Sequence, residues 1–195
     1  MNAPSEYYAK IQAGARAAPG FRKLESKLLA LGPGRVVPMP ELHMAELLMR
    51  GAAVTGNVRV RHGEPNRCHY NAAVLWLRDP RAEIWTGYAY SGGVWRQHSW
   101  NVRDGEIIDM HDDAEKRFGV VPSEPEHFVV SAFTPEWDFS SLDRAAFVRA
   151  IGVRAASRFH EVVETSLRKL QGYGSAETSA PVGVPMKAGV HHKIK

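Results

Sequence analysis

The chain has 195 residues, 44% of them hydrophobic and 24% charged, which suits one globular domain with tails. A formal charge of +4 and a pI near 9.3 are mildly basic, but the basic residues are scattered. They lack the clustering with interleaved aromatics of a nucleic-acid surface, and Lys187, Lys193 and Lys195 form only a small group that reads as a solvated tail. No run of about 18 apolar residues is present to span a membrane. The polar start, with Glu6, has no apolar region of a secretory signal, and one cysteine fits a reducing cytoplasm.

Residues 1–20 are rich in Ala, Pro and Gly and predict a flexible segment, weakly helical at best. Over 21–31, Phe21, Leu24, Leu28 and Leu31 fall at helical spacing, and Gly32-Pro33-Gly34 stops the helix. A second helix is expected over 41–50, with Leu42, Ala45, Leu48 and Met49 on one side and Gly51 at its end. Residues 58–61 alternate as a short strand. Pro65 disfavours helix just before it and Asn66 is a good N-cap, so Cys68 stands at a helix start. The helix covers 69–77. Ala72, Leu75 and Trp76 form one stripe with Ala73 and Leu77 beside it, and Asp79-Pro80 closes it.

The periodicity then changes to two. Strands are expected over 84–90, 94–103 and 106–110, joined by Ser91-Gly92-Gly93 and by Asp104-Gly105, the latter a strong hairpin signal. A further strand is expected over 127–133. Ser140 or Ser141 caps a long helix to about 170, weakened midway by Gly152, and from 172 the composition becomes that of a flexible tail. The architecture predicted is α+β: a single domain over 21–171, with a central helix on an antiparallel sheet of four or five strands and flanking helices.

A two-residue Asp104-Gly105 loop pairs Arg103 with Glu106, Trp100 with Asp109 and His98 with His111. His98, Trp100, Asp109 and His111 then share a face, and Asp109 is the diagonal neighbour of His98. A two-residue Gly92-Gly93 turn puts Gly87 opposite His98, leaving space beside the imidazole. A thiol becomes a strong nucleophile once a helix start and a nearby imidazolium lower its pKa. Cys68 is thus a candidate nucleophile, His98 a base and later an acid, and Asp109 the group that orients His98. The Cys68 amide, Asn66 and Gln97 are candidate oxyanion donors, and Trp100 a cleft residue that shields the pair from water. His69 is a cleft wall or a solvated residue. A zinc site of Cys68, His98, Asp109 and His111 competes on residue type, but no CxxC or HxxxH spacing supports it, so neither metal nor cofactor is expected.

Cys68 opening a helix, His98-Ser99-Trp100 on a strand and Asp109 in Ile107-Ile108-Asp109 on the next resemble the core of transglutaminase-like cysteine peptidases, within the papain-like class. The resemblance covers residues 63–110. It implies a papain-like core and a Cys-His-Asp triad that transfers acyl groups from peptide, isopeptide, amide or ester bonds without a metal. Papain itself has Gln six residues before its cysteine; His62 stands there in this chain. The function expected is a thiol hydrolase or acyl transferase with a peptide or protein substrate, in the cytoplasm and away from membranes. The alternative is an inactive papain-like fold that serves as a protein-binding module.

Overall fold

The computed structural model describes residues 3–110, 114–133 and 144–176. Helix α1 covers Ala3–Ala17, α2 Phe21–Leu31, strand β1 Arg35–Val36, α3 Met44–Arg50, β2 Ala52–Val54 and β3 Val58–Val60. Helix α4 is Cys68–Arg78. Strands β4 (Glu83–Ser91), β5 (Val94–Arg103), β6 (Glu106–Asp109) and β7 (Lys116–Val120) follow. Helices α5 (Pro125–Phe133), α6 (Arg144–Ile151) and α7 (Val153–Ala176) complete the described chain. The class is α+β, as expected, but the sheet is larger and mixed. Seven described strands take the order β2-β7-β4-β5-β6-β3 with β1 also on β5, and β1 and β3 run parallel to their partners.

The two tight turns set the register. Gly92 and Gly93 have φ of 54° and 77°, and Asp104 and Gly105 have φ of 52° and 78°. Two left-handed residues in succession match the twist of a hairpin. Ser91 pairs with Val94, Gly87 with His98 and Arg103 with Glu106. Gly87 serves a purpose other than the one expected. A Cβ there would lie 2.2 Å from the Phe118 carbonyl oxygen, so its bareness admits β7 against β4.

Several elements differ from expectation. Residues 127–133 are helix, not strand. Pro125 opens α5 where its missing N–H costs nothing, Glu126 suits the helix start, and Phe128, Val129 and Phe133 are buried against α4 and α7. The strand lies earlier, as β7, which does not alternate because Arg117 is buried on one face and Phe118 on the other. The first helix forms because the Ala, Lys, Gln and Arg of 9–17 are strong helix formers, and Ala15 is buried. Helix α3 begins only at Met44, since Glu41 Oε1 accepts the His43 N–H at 3.0 Å and turns the chain. Its anchor is therefore the buried Leu47, while Leu42 and Met49 are 70% and 75% exposed. The long C-terminal helix is two, broken at Gly152 (φ 91°), and α7 continues to Ala176, past the expected tail start. Ser140, Ser141, His111 and the lysines near the end lie outside the described residues.

The helices build two cores on one face of the sheet, the face of Ile84, Thr86, Tyr88 and Tyr90 on β4 and of Trp95, Gln97, Ser99 and Asn101 on β5. At the Ile84 end, α4, α5, α6 and α7 pack around Phe133, Phe147 and Phe159. At the Tyr90 end, α2 and α3 pack Phe21, Leu24, Leu28 and Leu47 against Tyr88, Trp95 and Phe118. Thr86, Gln97 and Ser99 lie between the two. Among the described residues no helix is long and apolar enough to cross a membrane.

Candidate active site

Helix α4 opens at Cys68, but Arg67, not Asn66, is its N-cap, with no side-chain bond. Asn66 takes a left-handed turn (φ 58°) just before. The loop ahead of the cysteine is tied to the helix by Asn71: its Oδ1 accepts the Glu64 N–H at 3.0 Å and its Nδ2 donates to the Glu64 carbonyl at 2.8 Å. The first N–H groups of a helix have no intrahelical acceptor, so the Cys68 amide is available to a ligand.

The helix is clamped to β5 by residues of odd number. Asn101 Nδ2 donates to the Ala72 carbonyl at 3.2 Å, and Ser99 Oγ lies 2.7 Å from His69 Nδ1 and 3.0 Å from Thr86 Oγ1. His98 and Trp100 point to the other face. The thiol reaches His98 because β5 has an open edge. On that edge β1 pairs only with Val94 and Trp95, and β6 only with Asn101, Val102 and Arg103. At that edge the backbone amides of Ser99 and His69 and the His98 imidazole act on the Cys68 sulfur and favour its thiolate.

The His98 ring is hydrogen-bonded to the sulfur on one side, and its Nε2 donates to Asp109 Oδ1 at 2.8 Å on the other. Nδ1 is thus left for the thiol. Cys68, His98 and Asp109 come together as the sequence predicts. A fourth residue was not foreseen: Arg117 Nε and Nη2 donate to Asp109 Oδ2 at 2.9 and 2.7 Å. Asp109 and Arg117 are 1% and 4% exposed, and a carboxylate so deep needs a cation or several donors. The available sequence signal was that requirement, but it names no partner, and β7 did not read as a strand.

The electrostatics follow from these contacts. Burial alone would push the Cys68 thiol up, yet the His98 bond and charge and the Ser99 and His69 amides outweigh it and hold the pKa below its usual value. Burial would push the His98 imidazole down, yet Asp109 and the sulfur raise it to about 9. His69 goes the other way: burial first, then the charge of His98, depress it to about 4, so it is neutral at pH 7.

Two cavities meet at the thiol and share Asn66, Cys68 and Gln97. One, of about 380 Å³, runs toward α3 past Glu41, His43, His69 and Phe128; the other, of about 330 Å³, runs past Arg96, His98 and Ala89. Asn66 is exposed between them and remains in place as a donor candidate. Gln97 does not: its Nε2 donates to the Pro40 carbonyl at 3.0 Å and to Glu41 Oε2 at 2.9 Å, which commits both amide protons. Trp100 lines neither cavity. It is 1% exposed and stacks on His98 with centroids 6.1 Å apart, so it shields the imidazole from behind and does not touch a ligand. Among the described residues, no group of three His, Cys, Asp or Glu side chains is placed to hold a metal. In comparisons with protein-family models, curated proteins and solved structures, nothing matches this chain.

Proposed function

We propose that the chain is a cysteine hydrolase or acyl transferase of transglutaminase-like, papain-like character. It acts on a peptide, isopeptide or related amide bond through Cys68, His98 and Asp109. The observation that carries the reading is the continuous relay from the Cys68 sulfur through the His98 ring to Asp109 Oδ1, open to solvent at the sulfur end. A cleft that extends on both sides of the nucleophile suits a chain-like substrate that crosses it. A free thiol used in this way fits a reducing compartment such as the cytoplasm.

In this reading the resting site holds a thiolate beside an imidazolium. The sulfur attacks the carbonyl carbon, and the Cys68 N–H with the Asn66 amide receives the developing oxyanion. His98 gives its proton to the leaving nitrogen, the C–N bond breaks, and a thioester remains. His98, now neutral, takes a proton from water or an acceptor amine, whose attack releases the acyl product and restores the thiolate. Asp109 keeps the His98 tautomer fixed, and Arg117 holds Asp109.

The test is alkylation of Cys68 by iodoacetamide across pH. Because the thiol pKa is lowered, labelling is expected to be fast well below pH 8, and turnover to fall only above about 9 as His98 loses its proton. His98→Ala should slow labelling at pH 6.5–7 on the order of 100-fold, because the thiol then returns to an ordinary pKa near 8.5. An ordinary thiol titration in the wild type, unmoved by His98→Ala, sinks the proposal.

A further inference from the structure

We infer that the cleft on the α3 side of Cys68 is a subsite for a cationic side chain, lysine or arginine, on the substrate residue beside the bond that the thiol attacks. The inference rests on the reading of Cys68 as a nucleophile and deepens it by naming a substrate class. At about 380 Å³ the cleft is within the common range for ligand sites, about 300–1,000 Å³. Leu42, Tyr70, Phe128 and Ala132 give it apolar walls, which suit an aliphatic stem.

Its buried carboxylate is Glu41. Glu41 receives one bond at each oxygen, from the His43 N–H and from Gln97 Nε2, and each oxygen keeps a further lone pair. No lysine or arginine among the described residues pairs with it. Burial therefore pushes its carboxyl pKa up, and a ligand cation would offset that. His43 lines the same cleft. Its Nδ1 is engaged by Glu46 Oε1 at 3.1 Å, while its Nε2 is buried with no partner. Arg67 also lines the cleft, where it sits 4.5 Å over the Tyr70 ring and 3.8 Å from Glu64. Among the described residues, the other cavity carries Arg96 and no carboxylate, so among them the preference for a cation belongs to the α3 side of the thiol.

The test is protection of Cys68 from iodoacetamide by N-acetyl amino-acid methylamides of lysine, arginine, norleucine and glutamate. Such compounds can bind on either side of the thiol. The lysine and arginine compounds are expected to protect at concentrations at least 10-fold lower than norleucine, and glutamate not to protect. In Glu41→Gln the lysine-to-norleucine ratio should fall toward one, and in Glu41→Lys glutamate should become the better protector. Equal protection by lysine and norleucine in the wild type overturns the inference, as does n-butylammonium protecting as well as the lysine amide. The ratio is measured against whatever labelling rate the thiol has. An ordinary rate thus sinks the catalytic reading, whereas a fast rate without cation preference sinks only the subsite.

Discussion

The two faces of the central sheet solve different problems. The helix-bearing face buries Phe21, Leu24, Leu28, Phe133 and their neighbours, and its stability is a sum of many non-directional contacts. The opposite face buries charge: Asp109 lies between His98 and Arg117, with Trp100 stacked behind. Loss of one apolar side chain leaves a hole. Loss of one member of the charged set leaves its partner unpaired in a poor solvent for charge. The difference teaches that the fold and the chemistry are separable by mutation, although one strand, β5, serves both.

The largest effect that sharpens this contrast is expected from Asp109→Ala. It strands Arg117 and frees the His98 ring, so stability should fall by about 3–5 kcal/mol and the thiol should lose its reactivity at pH 7. On the other face, Leu28→Ala should cost a comparable amount, about 2–5 kcal/mol, and leave the labelling profile in place. Asp109→Leu combined with Arg117→Met should recover most of the stability and none of the reactivity. Urea unfolding together with iodoacetamide rates measures both. A Leu28→Ala protein with a shifted thiol titration would break the separation.

A middle effect is expected where the faces share a strand contact. In Gly87→Ala the new Cβ would meet the Phe118 carbonyl, so β7 must move from β4. The overpacking should cost about 1–3 kcal/mol. Arg117 moves with β7, so thiol reactivity should fall along with the unfolding midpoint. A midpoint that falls alone would mean that Arg117 holds Asp109 independently of the strand.

Much of this was legible in the chain. Helix α2, the two hairpin turns and the order Cys68, His98, Asp109 follow from local signals: helical spacing, Asp-Gly and Gly-Gly pairs, and a helix start after Pro65. What escaped is non-local. Residues 127–133 have the composition of a strand; Pro125 and Glu126 mark a helix start ahead of them, and packing against α4 and α7 decides for the helix. Arg117 looks like a solvated charge until Asp109 needs it. Strand β1 covers two residues, too short for any period to show, whereas the alternation over 58–61 does give β3 but not its parallel pairing with β6. The gap that β1 and β6 leave on β5, through which the thiol reaches the imidazole, cannot be inferred from any one segment.

The smallest expected effect concerns Ser99, which serves both faces with different atoms. Its hydroxyl sits on the helix side, bonded to His69 and Thr86, and its N–H points along the sheet edge to the Cys68 sulfur. Ser99→Ala removes the first contact and keeps the second. His69 Nδ1 and the Thr86 hydroxyl lose a partner, which should cost about 1 kcal/mol and register as a small drop in the urea midpoint. The main chain of β5 is held by β4 along its length, so the amide should still meet the sulfur and the pH profile of Cys68 labelling should keep its position. A profile displaced toward that of an ordinary thiol would show that the α4 clamp, more than the strand edge, sets the distance between Cys68 and His98. The faces would then be coupled through His69 and not merely joined by a shared strand.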